Sequence, residues 1–363
     1  MILFFSILLF SDRNDTSADE DIAHQAQFLL KLSDVDAEIY WSARIAEVGD
    51  NEAYREFVDI ETYMPDGSEH KRAHMFGGAL YQQRGIDSFT VCDSSFHYGC
   101  FHEFIGRAVF EYGKDILEVA SSKCVDALGT EGVLCQHGVG HSALAYYGYT
   151  QEDLKRALNT CRSLDEDGGN DPIRGCEGGA YMEFNMRTML DEEDEVRPYG
   201  DQFLPCTNVS ESYHLGCIFW QTQWWQEIFM RDSAHKYSSS IYTQMGENCR
   251  EFTKDSSLLQ ACFAGIGNFG AGGVDYVIPS IVSLCDSAAD NQEHSLFCRL
   301  RALKKTPAQK LDTQTPLEIC TGLSGNIKKY CSAFTRNESD THFTTDEGVR
   351  VDMSELLYFR SLR

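Results

Sequence analysis

Two helical patterns separated by one turn fill the segment between Cys135 and Cys161. The first ends in the apolar run SALAYY, and the second begins with LKRAL. The turn between them, GYTQED, places Thr150 before polar and acidic residues, which are favoured at the amino end of a helix. The pattern therefore predicts a helical hairpin, that is, two helices joined by a tight turn. Residues 100–124 and 217–249 repeat the same plan.

The fourteen cysteines repeat with the hairpins and divide into two interleaved series. Successive members of one series are 32 to 45 residues apart, which is the length of a helical-hairpin repeat. Gaps of 8 to 15 residues separate each cysteine of the first series from the next cysteine of the second. The two series are Cys92, Cys124, Cys161, Cys206, Cys249, Cys285 and Cys320, and then Cys100, Cys135, Cys176, Cys217, Cys262, Cys298 and Cys331.

This period predicts seven hairpins and a partial eighth from Cys331. In the first hairpin Ser68 stands at the cysteine position, because the stretch from His70 to Tyr81 aligns with the stretch after Cys135. The predicted fold class is all-α, a disulfide-stapled superhelix or α/α toroid of about seven helical-hairpin repeats. The hairpins are predicted to begin near residues 68, 100, 135, 176, 217, 262 and 298. The predicted domains are a signal peptide and disordered lead at 1–19, a helical lead-in at 20–62, the Cys/His repeat domain at 63–331, and a polar tail with a short helix at 332–363.

Two disulfide arrangements are conceivable, and only one of them gives every cysteine a partner. If bridges closed each hairpin, Cys92 would face Ser68 and Cys331 would lack a partner. If bridges joined the ends of each loop between hairpins, every cysteine would pair. We therefore predict loop stapling, in which each bridge closes a small loop and contributes about 2–3 kcal/mol. The predicted pairs are 92–100, 124–135, 161–176, 206–217, 249–262, 285–298 and 320–331.

Three features indicate a secreted or lumenal glycoprotein. An even number of cysteines suits disulfide formation in an oxidising compartment. Sequons begin at Asn14, Asn208 and Asn337. The apolar start, residues 1–10, has the length of a signal-peptide core and is too short to span a bilayer, and a non-cleaved anchor is the alternative.

The strongly acidic composition limits the class of partner. Lys and Arg number 31 and Asp and Glu number 56, so the formal net charge is −25. Such a surface repels phosphate backbones and anionic lipid heads, and we expect neither nucleic acid nor a membrane surface as a partner. A protein or cationic ligand on the concave face of the repeats, or a metal ion, suits this charge.

Five histidines occupy related positions at the starts of the first three hairpins. His70 and His74, and again His137 and His141, are four residues apart, so both members of a pair lie on one helix face and can reach one metal ion. His102 belongs to the hairpin between them. The pattern predicts a histidine-rich site for a divalent metal ion, either zinc, copper or iron, on the concave face of these hairpins.

Two carboxylates next to these positions are candidates for catalysis. Glu103 and Glu183 are predicted as an extra ligand or as the base of a metalloenzyme. Neither histidine pair contains the glutamate of the His-Glu-x-x-His motif, so metalloprotease chemistry of that type is unsupported. Packed helices lie roughly 8–10 Å apart, which would separate the first and third hairpins by about 20 Å in an open stack. Both pairs would therefore share one centre only under strong curvature or closure.

Structural roles are the alternative for these residues. A histidine near a helix start often bonds to a loop carbonyl, and this role is predicted for His97, His214 and His294. Glycines crowd the first turns of the helices despite an interior cost of about 1 kcal/mol each, which favours close helix packing or access for a ligand. The tryptophans within residues 220–225 are predicted to pack in the core.

The stretch from Tyr147 to Cys161 combines an aromatic residue, a glycine turn, acidic residues and a Lys-Arg-Ala segment. In this rhythm it is similar to secreted Sel1-like, cysteine-rich α-repeat proteins. The resemblance is one of architecture and implies an α-helical repeat fold, while the histidine pattern and the cysteine spacings depart from it. Two functions remain open: a metal-binding protein, with or without enzymatic activity, and a non-catalytic extracellular interaction scaffold whose histidines are structural.

Overall fold

The computed structural model describes residues 16–64, 68–164, 171–189, 201–232, 238–336, 338, 342–344 and 350–352. Most of the predicted signal peptide, the sequons at Asn14 and Asn337 and the predicted C-terminal helix lie outside the described residues. The chain divides into two compact units, residues 1–108 and 109–363. The described parts of both units are helical, as predicted, apart from one short β-hairpin in the C-terminal tail.

The described residues of the first unit form four α-helices and the beginning of a fifth. Two 3-10 helices, Gly85–Val91 and Ser95–Tyr98, follow the fourth helix, so a 3-10 helix stands where the second helix of the first hairpin was predicted. Helix α2 packs on α3 and α4 around a core of aromatic side chains. The helices are α1 (Thr16–Leu29), α2 (Asp34–Val48), α3 (Asp50–Glu61), α4 (Glu69–Arg84) and α5 (Gly99–Tyr112), of which the residues up to Ala108 belong to this unit.

The second unit continues with helices to Thr335. These helices are α6 (Ile116–Leu128), α7 (Gly132–Tyr147), α8 (Gln151–Ser163), α9 (Cys176–Met189), α10 (His214–Asp232), α11 (Ser239–Phe252), α12 (Ser256–Gly273), α13 (Ile278–Ala288), α14 (Gln292–Lys305), α15 (Ala308–Leu311) and α16 (Gly325–Thr335). Short 3-10 helices lie at Gly129–Glu131, Cys206–Asn208, Glu211–Tyr213 and Pro316–Cys320. Strand β1 (His342–Thr344) pairs antiparallel with β2 (Arg350–Asp352), a hairpin that the sequence did not predict.

The helices of the second unit form two layers. The first helices of successive hairpins pack in a row, α7 on α9, α9 on α10, α10 on α12 and α12 on α14. The second helices α8, α11 and α13 pack behind this row. The predicted start of α8 is confirmed: Thr150 accepts a hydrogen bond from the backbone N–H of Asp153, and the Asp153 side chain accepts from the backbone N–H of Thr150. This capping box satisfies two amide groups at the helix end.

All seven predicted disulfides are confirmed. The pairs are 92–100, 124–135, 161–176, 206–217, 249–262, 285–298 and 320–331, with Cα atoms 5.3 to 5.8 Å apart. No cysteine is left over. Each bridge closes a short loop, with its two cysteines 8 to 15 positions apart in the sequence.

Close packing explains the glycines at the helix starts. A Cβ at Gly140 would clash with the carbonyl oxygen of Cys176, and a Cβ at Gly267 would clash with that of Cys298. The predicted packing role is confirmed at these contacts. The tryptophans within 220–225 are buried in the core, as predicted. In the described part of the chain, no helix combines the length and the apolar character that crossing a bilayer requires.

Candidate metal centre

Three histidines of the first unit meet where α4 approaches the start of α5. His70 and His74 lie one turn apart on α4, and His102 lies in the first turn of α5. The helices can approach because Gly77 and Gly99 have no side chains: a Cβ on Gly77 would clash with the carbonyl oxygen of Cys100, and a Cβ on Gly99 would lie 2.7 Å from that of His70. The absence of side chains at Gly77 and Gly99 therefore lets His102 come close to the pair on α4.

The three rings bring their nitrogens together. Nε2 of His74 is 3.1 Å from Nε2 of His70 and 3.1 Å from Nδ1 of His102. All three candidate ligand atoms lie within 4.8 Å of one another, and the ring centroids are 4.7 to 5.1 Å apart. His102 is buried, and the other two are partly buried. Among the residues that the structure describes, no other group of three histidines, cysteines or carboxylates meets these distances.

A backbone carbonyl sets the tautomer of His70. Nδ1 of His70 donates to the carbonyl oxygen of Phe96 at 2.7 Å, so Nε2 of the neutral ring carries a lone pair. Nε2 of His74 carries either one proton or one lone pair in the plane of its ring, yet two other nitrogens lie next to it. As a donor it can make a full hydrogen bond to only one of them, and as an acceptor it faces the lone pair of His70. Three neutral rings therefore cannot turn both 3.1 Å contacts into hydrogen bonds, whereas a cation between three lone pairs satisfies all of them.

The spacing fits a transition-metal ion. With metal–nitrogen distances of about 2.0–2.1 Å, tetrahedral coordination places ligand nitrogens roughly 3.3 Å apart. The two 3.1 Å separations around His74 are close to that value. The Phe96 carbonyl on the far nitrogen of His70 is also the type of outer partner that orients a metal-bound imidazole.

Glu103, which follows His102 in α5, has a different partner. Its Oε1 accepts from Nε of Arg107 at 2.7 Å, and Nη2 of Arg107 lies 3.2 Å from Oε1 of Glu38. The Glu103 side chain is 39% exposed, and it does not belong to the histidine group. The carboxylate predicted as a ligand or base is therefore engaged in a surface ion pair.

The second histidine pair lies on α7 in the second unit and contacts different atoms. Nδ1 of His137 donates to the carbonyl oxygen of Arg174 at 3.0 Å, and Nδ1 of His141 donates to Oε2 of Glu183 at 2.9 Å. Nε2 of His137 lies 3.4 Å from Sδ of Met182. The two ring centroids are 5.0 Å apart. This pair is bonded to α9 and to the loop before it, and its members do not belong to the three-histidine group.

Glu183 is held as an ionised acceptor. Burial raises the pKa of Glu183, but hydrogen bonds from His141 and Tyr149 and the charge of Arg187 outweigh burial and keep the pKa below its ordinary value. Burial and the Glu183 carboxylate raise the pKa of Tyr149 to about 12, so its hydroxyl is a donor at neutral pH. Glu183 thus orients His141 by accepting the proton on Nδ1.

Two further histidines have packing contacts with aromatic rings instead of the predicted bond to a loop carbonyl. Nδ1 of His294 lies 2.6 Å from Oδ1 of Asp290, and its ring stacks on Phe263 with centroids 4.3 Å apart. His214 packs edge to face on Phe252. The side chain of His97 lies outside the described residues.

The sequence analysis did not identify Met182 as a neighbour of His137. The signal was its register: Met182 stands six residues after Cys176, as His141 stands six residues after Cys135. A methionine in a helix is usually core filling, and the neighbours that distinguish it belong to another hairpin.

No protein-family model matches the chain, and no curated protein or solved structure matches it either. The fold and the site define a disulfide-rich α-helical protein with a partly buried group of three histidines. Its function must therefore be argued from the site itself.

Proposed function

We propose that this protein binds a divalent metal ion, with zinc as the preferred ion, through His70, His74 and His102. The observation that carries the proposal is the position of His74 Nε2, 3.1 Å from two other imidazole nitrogens that cannot both form hydrogen bonds with it. A bound cation would accept a lone pair from each of the three imidazole nitrogens, so that all three histidines would become ligands.

The donor set favours zinc or copper over iron. All three ligands are neutral imidazoles, whereas non-haem iron sites commonly include a carboxylate. Zinc accepts three imidazoles in tetrahedral geometry and retains one open position. The thiols are all in disulfides, so thiolate ligands are not part of the proposal.

The proposal is metal binding, with no reaction assigned. Three protein ligands leave a coordination position for water, which is the arrangement of catalytic zinc sites. Glu103 could act as a base there only after leaving Arg107, and Glu183 accepts hydrogen bonds within the second unit. Enzymatic activity would therefore require a proton acceptor other than these two carboxylates as they now stand.

The proposed setting is the secretory pathway or the extracellular space. Seven disulfides require an oxidising compartment, and Asn208, the sequon residue that the structure describes, is exposed. We also propose that the hairpins continue one another as a superhelix or toroid with the histidines on its concave face. A protein or cationic ligand would then bind that same face.

Metal analysis of protein purified without chelators tests the proposal. We expect about one equivalent of zinc in the wild-type protein and loss of that equivalent in His74→Ala. His294→Ala is the matched control, because His294 is also a helix-start histidine but stacks on Phe263. A wild-type protein that stays metal-free after incubation with zinc, copper and iron would contradict the proposal.

An interaction scaffold with structural histidines is the second candidate. The observation favouring it is that His70 and His137, at equivalent repeat positions, both donate from Nδ1 to a loop carbonyl. On this account His74→Ala and His294→Ala would both reduce the free energy of unfolding, and added metal would not raise the melting temperature of any variant. Metal binding predicts the opposite for the wild type, since a ligand of the native state stabilises it.

A further inference from the structure

We infer that His137, His141 and Met182 form a second metal site, suited to a soft ion such as Cu(I). This site lies in the second unit and goes beyond the zinc site proposed above. The proposal rests on the side-chain geometry between α7 and α9, so the two sites can be tested independently.

His137 presents a lone pair to the methionine sulfur. Its Nδ1 donates to the carbonyl oxygen of Arg174 at 3.0 Å, so Nε2 of the neutral ring has no proton. Sδ of Met182 lies 3.4 Å from Nε2, and a thioether has no proton to donate. The contact between the neutral groups therefore sets two lone pairs against each other. A soft cation between them converts the contact into two coordination bonds.

The carboxylate of Glu183 orients the ring of His141. Oε2 of Glu183 accepts the proton of Nδ1 at 2.9 Å, and Glu183 also accepts from Tyr149 at 3.1 Å. A carboxylate on the far nitrogen is the usual outer partner of a metal-bound histidine, because it fixes the tautomer and strengthens the ligand. With Nδ1 bonded to Glu183, we assign Nε2 as the ligand atom of His141.

The distances agree with coordination by nitrogen and sulfur. With metal–nitrogen and metal–sulfur distances of about 2.0 and 2.3 Å, a tetrahedral angle separates the two ligand atoms by roughly 3.5 Å. The separation between His137 Nε2 and Met182 Sδ is 3.4 Å. The rings of His137 and His141 lie 5.0 Å apart, within the 4.7 to 5.1 Å spacing of the three-histidine group.

The third ligand distinguishes the two sites. Each site begins with a pair of histidines one turn apart and takes its third ligand from the first helix of the following hairpin. That ligand is the imidazole of His102 in the first unit and the thioether of Met182 in the second. A thioether ligand favours soft ions such as Cu(I), whereas imidazole ligands suit zinc as well as copper. We therefore expect the three-histidine site to prefer zinc and the site with Met182 to prefer Cu(I).

A protonated His137 is the competing explanation of the same contact. An imidazolium could donate from Nδ1 to Arg174 and from Nε2 to the sulfur. Nitrogen-15 spectra of the imidazole rings at pH 7 distinguish the two states. We expect the neutral Nδ1–H tautomer in the metal-free protein and a shift of Nε2 on addition of Cu(I).

Competition with a colorimetric Cu(I) chelator, under anaerobic conditions with ascorbate, tests the site in the full chain. We expect Met182→Leu to weaken Cu(I) binding at least tenfold and to leave zinc binding unchanged. Met186→Leu is the matched control: it lies one turn further along α9, its side chain is exposed, and its variant should bind Cu(I) as the wild type does. His74→Ala should lose zinc and retain Cu(I).

X-ray absorption of the wild-type Cu(I) protein gives an answer that needs no variant. We expect a sulfur scatterer at about 2.3 Å together with two nitrogens. A copper shell without sulfur, or Cu(I) binding that is unchanged in Met182→Leu and abolished in His74→Ala, would overturn this inference. If the wild-type protein bound Cu(I) but no zinc, that result would refute the three-histidine zinc site and would not contradict this copper site.

Discussion

Gly99 lies directly against His70, with its Cα facing both the backbone and the ring of that residue. A Cβ built on Gly99 would lie 2.7 Å from the carbonyl oxygen of His70 and 3.0 Å from its Nδ1. That same Nδ1 donates to the carbonyl oxygen of Phe96. The start of α5 therefore packs directly on His70. His102 follows Gly99 by three residues in the same helix.

Gly99→Ala is expected to weaken zinc binding at least tenfold and to lower the free energy of unfolding by about 1–3 kcal/mol, since the added methyl group must push α5 away from α4. Zinc titration and urea unfolding measure the two effects. Gly272→Ala is the control, because the nearest atom to its new Cβ would be 3.4 Å away, an ordinary contact. Equal zinc affinity in both variants would show that Gly99 does not set the site.

Removing the 92–100 disulfide with paired serines should loosen the site as well as the fold. This bridge closes the loop that carries Phe96 and ends in the first turn of α5. We expect a loss of about 2–3 kcal/mol in the free energy of unfolding, together with weaker zinc binding. The 320–331 pair, also a short loop, should cost a similar amount of stability and leave zinc affinity unchanged. Comparable zinc affinity in both double variants would argue against a positioning role for the first bridge.

The ion pair between Arg72 and Glu61 should dominate the electrostatic stability of the first unit. The guanidinium contacts both oxygens of a carboxylate that is 1% exposed. Arg72→Gln leaves that charge buried and should cost about 3–5 kcal/mol in urea unfolding. Arg107→Gln breaks an exposed pair and should cost at most about 1 kcal/mol. Replacing both partners, as Arg72→Met with Glu61→Leu, should recover most of the loss.

Glu183 should make the stability of the second unit depend on pH in the acidic range. Its pKa is lower in the folded protein than the ordinary value of 4.5, so its contribution is complete above pH 4.5. The contribution disappears as pH falls through the lower folded pKa. The difference in unfolding free energy between wild type and Glu183→Gln should therefore stay constant from pH 7 to about pH 5 and shrink below that. A difference independent of pH down to pH 3 would contradict the shift.

The sequence by itself determined the helical class and the disulfide pairing. Periodic cysteines and parity sufficed for the pairing, because each bridge joins residues at most 15 positions apart. Local signals such as the helix start at Thr150 and the crowded glycines were also readable, since their effects depend on neighbours within a turn or on the repeat itself. His70, His74 and His102 could be chosen as candidates by register alone.

Only the tertiary structure decided which of the candidates meet. The sequence left open whether both histidine pairs share one centre, whereas α4 and α5 alone form the three-histidine group. Glu103 and His102 are adjacent in sequence, yet only His102 joins that group, because neighbours on a helix point about 100° apart. Likewise, the 3.4 Å contact of Met182 with His137, 45 residues earlier, arises only in the tertiary structure. Register along one helix is encoded locally, but the meeting of two helices depends on how closely their backbones pack, and here that closeness depends on the absence of a Cβ at Gly77 and at Gly99.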